Sequence, residues 1–420
     1  MFTTQGSACG AALALLLPFA AAAQVEPLSD SSFRTCVARL ADETRYALRP
    51  LARADFQRIA ATSKYDDRSR SGLVAQVAEP TLWWDELAAT TDDVRVRDGQ
   101  DVLQRNAAAL QGIEQQYGVP RTVLVAIYGI ESDYGRRAGS VPVLDAALSL
   151  ACLRPCAAGT PEARCLSRER AYAAVRLVRD GQVTADSFTG SWAAAFGLTQ
   201  FVPDTFEELA VDFDGDGLKN VIGSEPDALA STANHLSRRG RWAGDVPALI
   251  EVSVPERLRE RYASRGETIR LPDAKRPLSQ WLQEGWTVLD TQTRVPPDTL
   301  VYPFLPVGLP GPTFLATANV DALLAYNRSL RYVVKVALLA RKLSGEGDFR
   351  TPWPTDDPGL SRAEIRTLQD WLLQRGHDIG SADGIVGTRT RDAIEKERAL
   401  RGMPPDRRVG KATLPVLMQP

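Results

Sequence analysis

The chain has 420 residues, with 50 basic against 52 acidic side chains and 44% hydrophobic ones. Near-neutral charge without a long basic run excludes a nucleic-acid binder held by phosphate neutralisation, and the length and apolar content suit two or three domains with buried cores. Only two histidines occur, His235 and His377, neither in a cluster with metal-ligand spacing, so a catalytic zinc site is not expected.

Residues 1–23 read as an export signal. Ala11 to Ala23 is an apolar stretch of 13 residues, short for a membrane span, and it ends in the small-residue cleavage pattern Ala21-Ala22-Ala23. The usual positive start is missing, since no Lys or Arg precedes Arg34. Cys9 lies before the apolar stretch, so lipid anchoring is not expected, and no other segment looks transmembrane. A periplasmic location follows as the expectation. The mature chain keeps Cys36, Cys152, Cys156 and Cys165. An even number in an exported protein suits two disulfides, with three connectivities open, and zinc binding or free buried thiols are the alternatives.

Residues 31–118 have a helix-rich pattern that closes with a helix from Leu103 to Tyr117. A second helix is expected over 119–135, started at Pro120 and ended at Gly135. Its residues from Val123 to Ile130 are uncharged and nearly all apolar, the pattern of a buried helix. Glu131 stands at its end. A carboxyl delivered to the core tends to keep its proton, which suits a general acid. The other reading is a carboxylate at the solvent end, paired with Arg136 or Arg137.

A cysteine-bearing loop follows at 152–165, then helices over 166–181 and 225–240. Between them, Asp212-Phe213-Asp214-Gly215-Asp216-Gly217 has the opening of an EF-hand loop, with carboxylates at positions one, three and five and glycine at six. Leu218 would add a backbone carbonyl. Position twelve is Gly223 and not the usual Glu, so Asp227, or Glu225, would have to close the shell. The alternative is a solvated Asp-Gly turn.

From Pro247 to Leu315 short alternation punctuated by Pro and Gly marks an inserted β subdomain. Helix returns from Val320 to Leu343, and in one helix Asn327 and Tyr332, five residues apart, would not share a face. Residues 344–359 read as a linker and 360–420 as a compact module. Ser361 and Glu364 form a capping box, with Leu360 and Ile365 as its hydrophobic staple. Asp383 to Thr390 is weakly echoed by Asp406 to Thr413, each a turn leading into a short helix.

Four segments together resemble the lytic murein transglycosylase B family over residues 31–343. They are Gly118-Val119-Pro120 leading to Ile130-Glu131-Ser132, the run from Gly190-Ser191-Trp192 to Gly197-Leu198-Thr199-Gln200-Phe201, the acidic loop at 211–217, and Ala325-Tyr326-Asn327-Arg328 to Tyr332. Residues 360–420 resemble the peptidoglycan-binding module of cell-wall enzymes. The resemblance implies an α+β, mainly α fold: a lysozyme-like helical catalytic core over 24–343 with a small β subdomain at about 247–315, and a three-helix peptidoglycan-binding module.

It also implies Glu131 as catalytic acid, with Ser191, Gln200, Asn327 and Tyr332 lining a glycan groove. Ser191 and Gln200 are equally the residue types that bond to backbone. Tyr128 and Trp192 offer aromatic faces to sugars, with core packing as the alternative. The expected metal set is Asp212, Asp214, Asp216, Leu218 and Asp227 around a structural calcium, without an organic cofactor. The expected partners are peptidoglycan strands and cell-wall synthesis or division proteins, and a monomer is expected. A two-carboxylate glycosidase needs a second acid near Glu131, and Asp133 lies about 200° further round a helix. A lone Glu suffices when the substrate's own C6 hydroxyl is the nucleophile, closing a 1,6-anhydro ring. A hydrolytic muramidase using Asp204, Glu207 or Glu208, and a non-catalytic wall-binding protein, are the alternatives.

Overall fold

The computed structural model describes residues 25–75, 81–156, 165–263, 266–290 and 294–419. The export signal expected at 1–23 lies outside them. The helical body opens with α1 (Asp30–Asp42), α2 (Arg53–Ala60), α3 (Asp67–Ala75) and α4 (Trp83–Thr90). It continues with α5 (Asp93–Arg105), α6 (Ala107–Tyr117), α7 (Arg121–Ser132), α8 (Val143–Leu153) and α9 (Leu166–Arg179). Cys36 of α1 pairs with Cys152 of α8, and Cys156 pairs with Cys165 between α8 and α9. The helix expected over 103–117 is two helices, because Asn106 leaves helical geometry and its amide bonds to the Val102 carbonyl and to Glu225.

A short ribbon of β1 (Val141–Pro142) and β2 (Thr189–Gly190) precedes α10 (Pro203–Leu209) and α11 (Glu225–Arg238). The β subdomain then contributes β3 (Leu249–Ser253), β4 (Ile269–Arg270), β5 (Arg276–Pro277), β6 (Thr287–Val288), β7 (Leu300–Leu305) and β8 (Phe314–Ala316), with α12 (Arg259–Tyr262) and α13 (Leu278–Gln283) between strands. The sheet is antiparallel in the order β4-β7-β8-β3-β6, with β5 also on β7. Alternate side chains serve two cores. Leu249, Tyr302, Phe304, Phe314 and Ala316 face the helical body, whereas Ile250, Val301, Leu305 and Leu315 join Tyr262, Trp281 and Trp286 on the far side.

The helix expected over 320–343 is broken into α14 (Ala318–Tyr326) and α15 (Leu330–Leu343). Asn327 is extended, and the Ser329 hydroxyl caps α15 by accepting the Tyr332 N–H. Asn327 and Tyr332 therefore sit on different elements, which removes the constraint of a shared helix face. The segment 344–359 is fastened to the body and does not hang free. Glu251, buried in β3, accepts the Arg350 and Thr351 N–H groups at 2.7 Å each, and Trp353 stacks on Trp83.

The C-terminal module has α16 (Arg362–Gln374), α17 (Thr388–Leu400) and α18 (Thr413–Leu417) around Leu360, Ile365, Leu368, Leu372, Ile394 and Leu417. The capping box forms as the spacing predicts, with Ser361 N–H donating to Glu364 at 2.7 Å. The module seats on α4, the start of α5 and the turn that follows α7. Arg408 pairs with Asp85, Arg362 with Asp92 and Asp133, and Arg137 donates to the Asp383 carbonyl. Among the described residues no helix is long and apolar enough to cross a membrane.

Candidate functional site

α7 is buried along most of its length, and Glu131 occupies its last turn, half-buried. The helix stops at Ser132, earlier than the expected Gly135. Asp133 and Tyr134 take left-handed backbone with φ of 53° and 56°, costly for non-glycine residues. Side-chain anchors hold this corner. Tyr134 Oη donates to the Arg95 carbonyl at 2.9 Å, and its ring lies over Gly99 and Gly129, where a Cβ would come within 2.4 and 2.7 Å of it. Ser132 Oγ donates to the Leu198 carbonyl at 2.5 Å, tying the end of α7 to the loop carrying Gln200. Neither arginine of the alternative ion-pair reading pairs with Glu131 among the described residues: Arg136 pairs with Asp98 and Asp133, and Arg137 donates to the Asp383 carbonyl.

Burial pushes the Glu131 carboxyl up to about 7 from its ordinary value near 4.5, with the Tyr332 hydroxyl and the Lys335 ammonium pulling the other way. Both partners stand on α15, which packs along α7. Tyr332 is buried and its hydroxyl has no partner in full hydrogen-bond geometry, yet it lies close enough to Glu131 for each to shift the other's proton equilibrium. The ring stacks on Tyr326, which donates to the Thr199 carbonyl at 2.6 Å. Lys335 is held at 2.7 Å by Glu86 of α4, which also takes Arg331 at 2.9 Å. The sequence reading missed both: Lys335 could have been found three residues beyond Tyr332 on one helix face, whereas no local pattern marks Glu86.

The other expected groove residues are placed unequally. Ser191 Oγ accepts the Ala193 and Ala195 N–H groups at 3.3 and 3.2 Å. Gln200, left-handed at φ 54°, donates to the Ala138 and Gly197 carbonyls. Both make the backbone bonds that their residue types allow and remain partly exposed. Gln200 lines a cavity with Tyr326 and Arg328, and Asn327 is exposed at that corner. Trp192 is half-buried over Gly72, where a Cβ would fall 2.1 Å from the indole. Tyr128 corrects its assignment: it is 2% exposed, stands edge-on to Tyr134 and bonds to Glu225 at 3.0 Å, so no ring face is open to a sugar.

Glu131 opens on a cavity of about 370 Å³ between the helical body and the C-terminal module. Asp85, Glu86 and Asp133 share its lining, and each is committed to cations. Burial alone would raise Asp133, but Arg136, Arg95 and Arg362 outweigh it and hold it at about 2. The three acids near the groove motif are also taken, Asp204 by Arg170, Glu207 by Arg176 and Glu208 by Arg239.

In the acidic loop, Asp212, Asp214 and Asp227 bring one carboxylate oxygen each within 4.8 Å of one another. Asp227, fully buried at the start of α11, also accepts the Phe213 and Asn220 N–H groups at 2.8 and 2.7 Å, so it ties both ends of the loop together. Gly217 has φ 92°, the turn expected at position six. Three convergent hard oxygens fit a divalent cation such as calcium. Asp216 stands outside this trio and accepts the Leu218 N–H, and Glu225 is excluded as the closing ligand because Arg105, Asn106 and Tyr128 already hold it.

Comparison with protein families matches residues 32–341 to the transglycosylase SLT domain and residues 361–417 to a peptidoglycan binding domain. Membrane-bound lytic murein transglycosylase B of Escherichia coli (strain K12) is 34% identical over 155 residues, 37% of this chain and 41% of that relative, so the match spans less than half the relative's length. The crystal structure of SltB3 from Pseudomonas aeruginosa in complex with NAG-anhNAM-pentapeptide is 33% identical, with a TM-score of 0.66 over 93% of this chain and 100% of that one. The Escherichia coli lytic transglycosylase Slt35 in complex with calcium, 22% identical with a TM-score of 0.56 over 75% of this chain and 93% of that one, shares the fold. The chain therefore belongs to the lytic transglycosylases of the SLT-domain family and carries a peptidoglycan binding domain at its C-terminal end.

Proposed function

We propose that this enzyme cleaves the β-1,4 bond between N-acetylmuramic acid and N-acetylglucosamine in peptidoglycan without consuming water. Protonated Glu131 gives its proton to the glycosidic oxygen as the muramyl C1–O bond breaks, and N-acetylglucosamine leaves with a free hydroxyl. The resulting carboxylate takes the proton of the muramyl C6 hydroxyl as O6 bonds to C1. Glu131 ends protonated, and the product carries a 1,6-anhydromuramyl end. The observation that carries this reading is a half-buried carboxyl poised at about 7, on a cavity whose other carboxylates are all ion-paired. A group that must act first as acid and then as base works best with a pKa near the working pH.

Ser191, Gln200 and Asn327 would orient the glycan, whereas Tyr332, only 3% exposed, is too buried to touch it and instead places its hydroxyl dipole beside the reacting carboxyl. The Pseudomonas relative's ligand, NAG-anhNAM-pentapeptide, supports the same substrate class here. The C-terminal module would keep the enzyme on the insoluble wall by raising its effective concentration. Asp212, Asp214 and Asp227 would hold a structural calcium, and the two disulfides suit an oxidising periplasm.

The test is digestion of purified peptidoglycan followed by mass spectrometry of the fragments. Anhydromuramyl ends are expected. Reducing ends would instead establish a hydrolytic muramidase, and no cleavage a binding protein. A Glu131→Gln variant that still cleaved would refute the role assigned to Glu131.

A further inference from the structure

We propose that Arg362, the first residue of α16 in the C-terminal module, is a positioning residue for Glu131, so that the docked module sets the catalytic geometry as well as tethering the enzyme. The inference rests on Glu131 being the acid. The Arg362 guanidinium spans two acids of the helical body. It reaches Asp92 with Nε at 2.9 Å and Nη2 at 3.1 Å, and Asp133 with Nη1 at 2.5 Å. Asp133 lies two residues beyond Glu131, at the left-handed residue that ends α7. Asp133 is also held by Arg95 at 3.1 Å and by Arg136 at 3.1 Å.

Arg362, Asp92, Asp133 and Arg95 are each less than 10% exposed, at 6, 8, 5 and 7%. In such surroundings charge-assisted bonds are strong and directional, and losing one partner leaves an uncompensated buried charge. The end of α7 is a corner that its own backbone does not favour, since Asp133 and Tyr134 both have positive φ. Its direction therefore depends on its anchors, and one of those anchors comes from 229 residues away in the other module. Arg408, by contrast, docks the module through Asp85 of α4, and its side-chain hydrogen bonds among the described residues go to Asp85 and Asp357 and not to the end of α7. The two arginines separate docking from positioning.

The test uses the full-length protein on a soluble, peptide-bearing tetrasaccharide of the wall, where tethering contributes nothing. Arg362→Ala is expected to lower kcat about 10- to 100-fold, the scale of a misplacement near 1 Å, with KM changed less than about threefold. Arg362→Lys keeps the charge but cannot span both acids, and it is expected to recover part of the loss. Arg408→Ala is expected to lose less than Arg362→Ala. Wild-type kcat in Arg362→Ala, a loss confined to KM or to retention on sacculi, or an equal loss in Arg408→Ala would overturn the proposal. If the alanine variant does not fold, wild-type kcat in Arg362→Lys overturns it instead. Failure of the wild type to cleave, or cleavage by Glu131→Gln, would sink the reading of Glu131 itself and is read in the same assay.

Discussion

Removing the carboxyl of Glu131, the proposed catalytic acid, should stabilise the protein, and should do so only where that carboxyl would be ionised. Burial raises Glu131 to about 7 from near 4.5. At 1.36 kcal/mol per unit this difference is about 3 kcal/mol. Between those two pH values the native state holds a proton that the unfolded chain has released. Stability therefore falls as pH rises through that window and stays lower above it. Glu131→Gln cannot ionise, so the variant should match the wild type at about pH 4 and exceed it by about 3 kcal/mol at about pH 8. For a catalytic domain of this size the gain corresponds to a Tm increase of roughly 5 °C. Scanning calorimetry at the two pH values measures it, following the catalytic-domain transition. An equal Tm change at both, or a lower Tm for the variant at the higher pH, would show that Glu131 is not held by a desolvating site.

Tyr332 and Lys335 both pull the Glu131 pKa down. Tyr332→Phe and Lys335→Met should each move the pH at which the general acid is lost upward by roughly half to one unit; initial-rate profiles on a soluble glycan measure the shift, and a downward shift contradicts the assignment. Calcium well above its dissociation constant should stabilise the wild type by about 3 kcal/mol at a hundredfold excess. Asp227→Asn should lose that response while folding in its absence, as read by thermal melting with calcium or chelator. The Cys36–Cys152 disulfide joins residues 116 apart, so a Cys36→Ala, Cys152→Ala variant should lose up to about 5 kcal/mol in urea unfolding by the chain-entropy relation. A loss below about 1 kcal/mol would mean that the unfolded chain is already compact there.

How much of this was legible in the sequence depended on whether a signal was local. The apolar run of α7, the capping box at Ser361 and Glu364, and the alternation of β3 and β7 are written within a few residues and appear as read. The break between α14 and α15 was missed because Ala325 to Leu330 contains neither Gly nor Pro, and the stop comes from the Ser329 cap and the turn at Asn327. The strap at 344–359 has a linker's composition, but Glu251 in a distant strand fastens it. Glu86 stood in no motif, and only folding brings it to Lys335.

The backbone around Glu131 was the least visible of all, and its invisibility is itself informative. Sequence reading assigns left-handed turns to glycine, so it placed the end of α7 at Gly135. Among the described residues five non-glycine residues have positive φ, and four of them are Asp133, Tyr134, Ala194 and Gln200, in the Glu131 and Gln200 segments. Each costs about 1–3 kcal/mol and persists only where the surroundings over-determine it. Here they do: Arg95, Arg136 and Arg362 hold Asp133, two glycines make room for Tyr134, and two carbonyls hold Gln200. A glycine at Asp133 would relieve the strain and remove the anchor together. On the role proposed for Arg362, the Asp133 carboxylate matters because its three arginine partners fix the left-handed corner that directly follows Glu131 and Ser132.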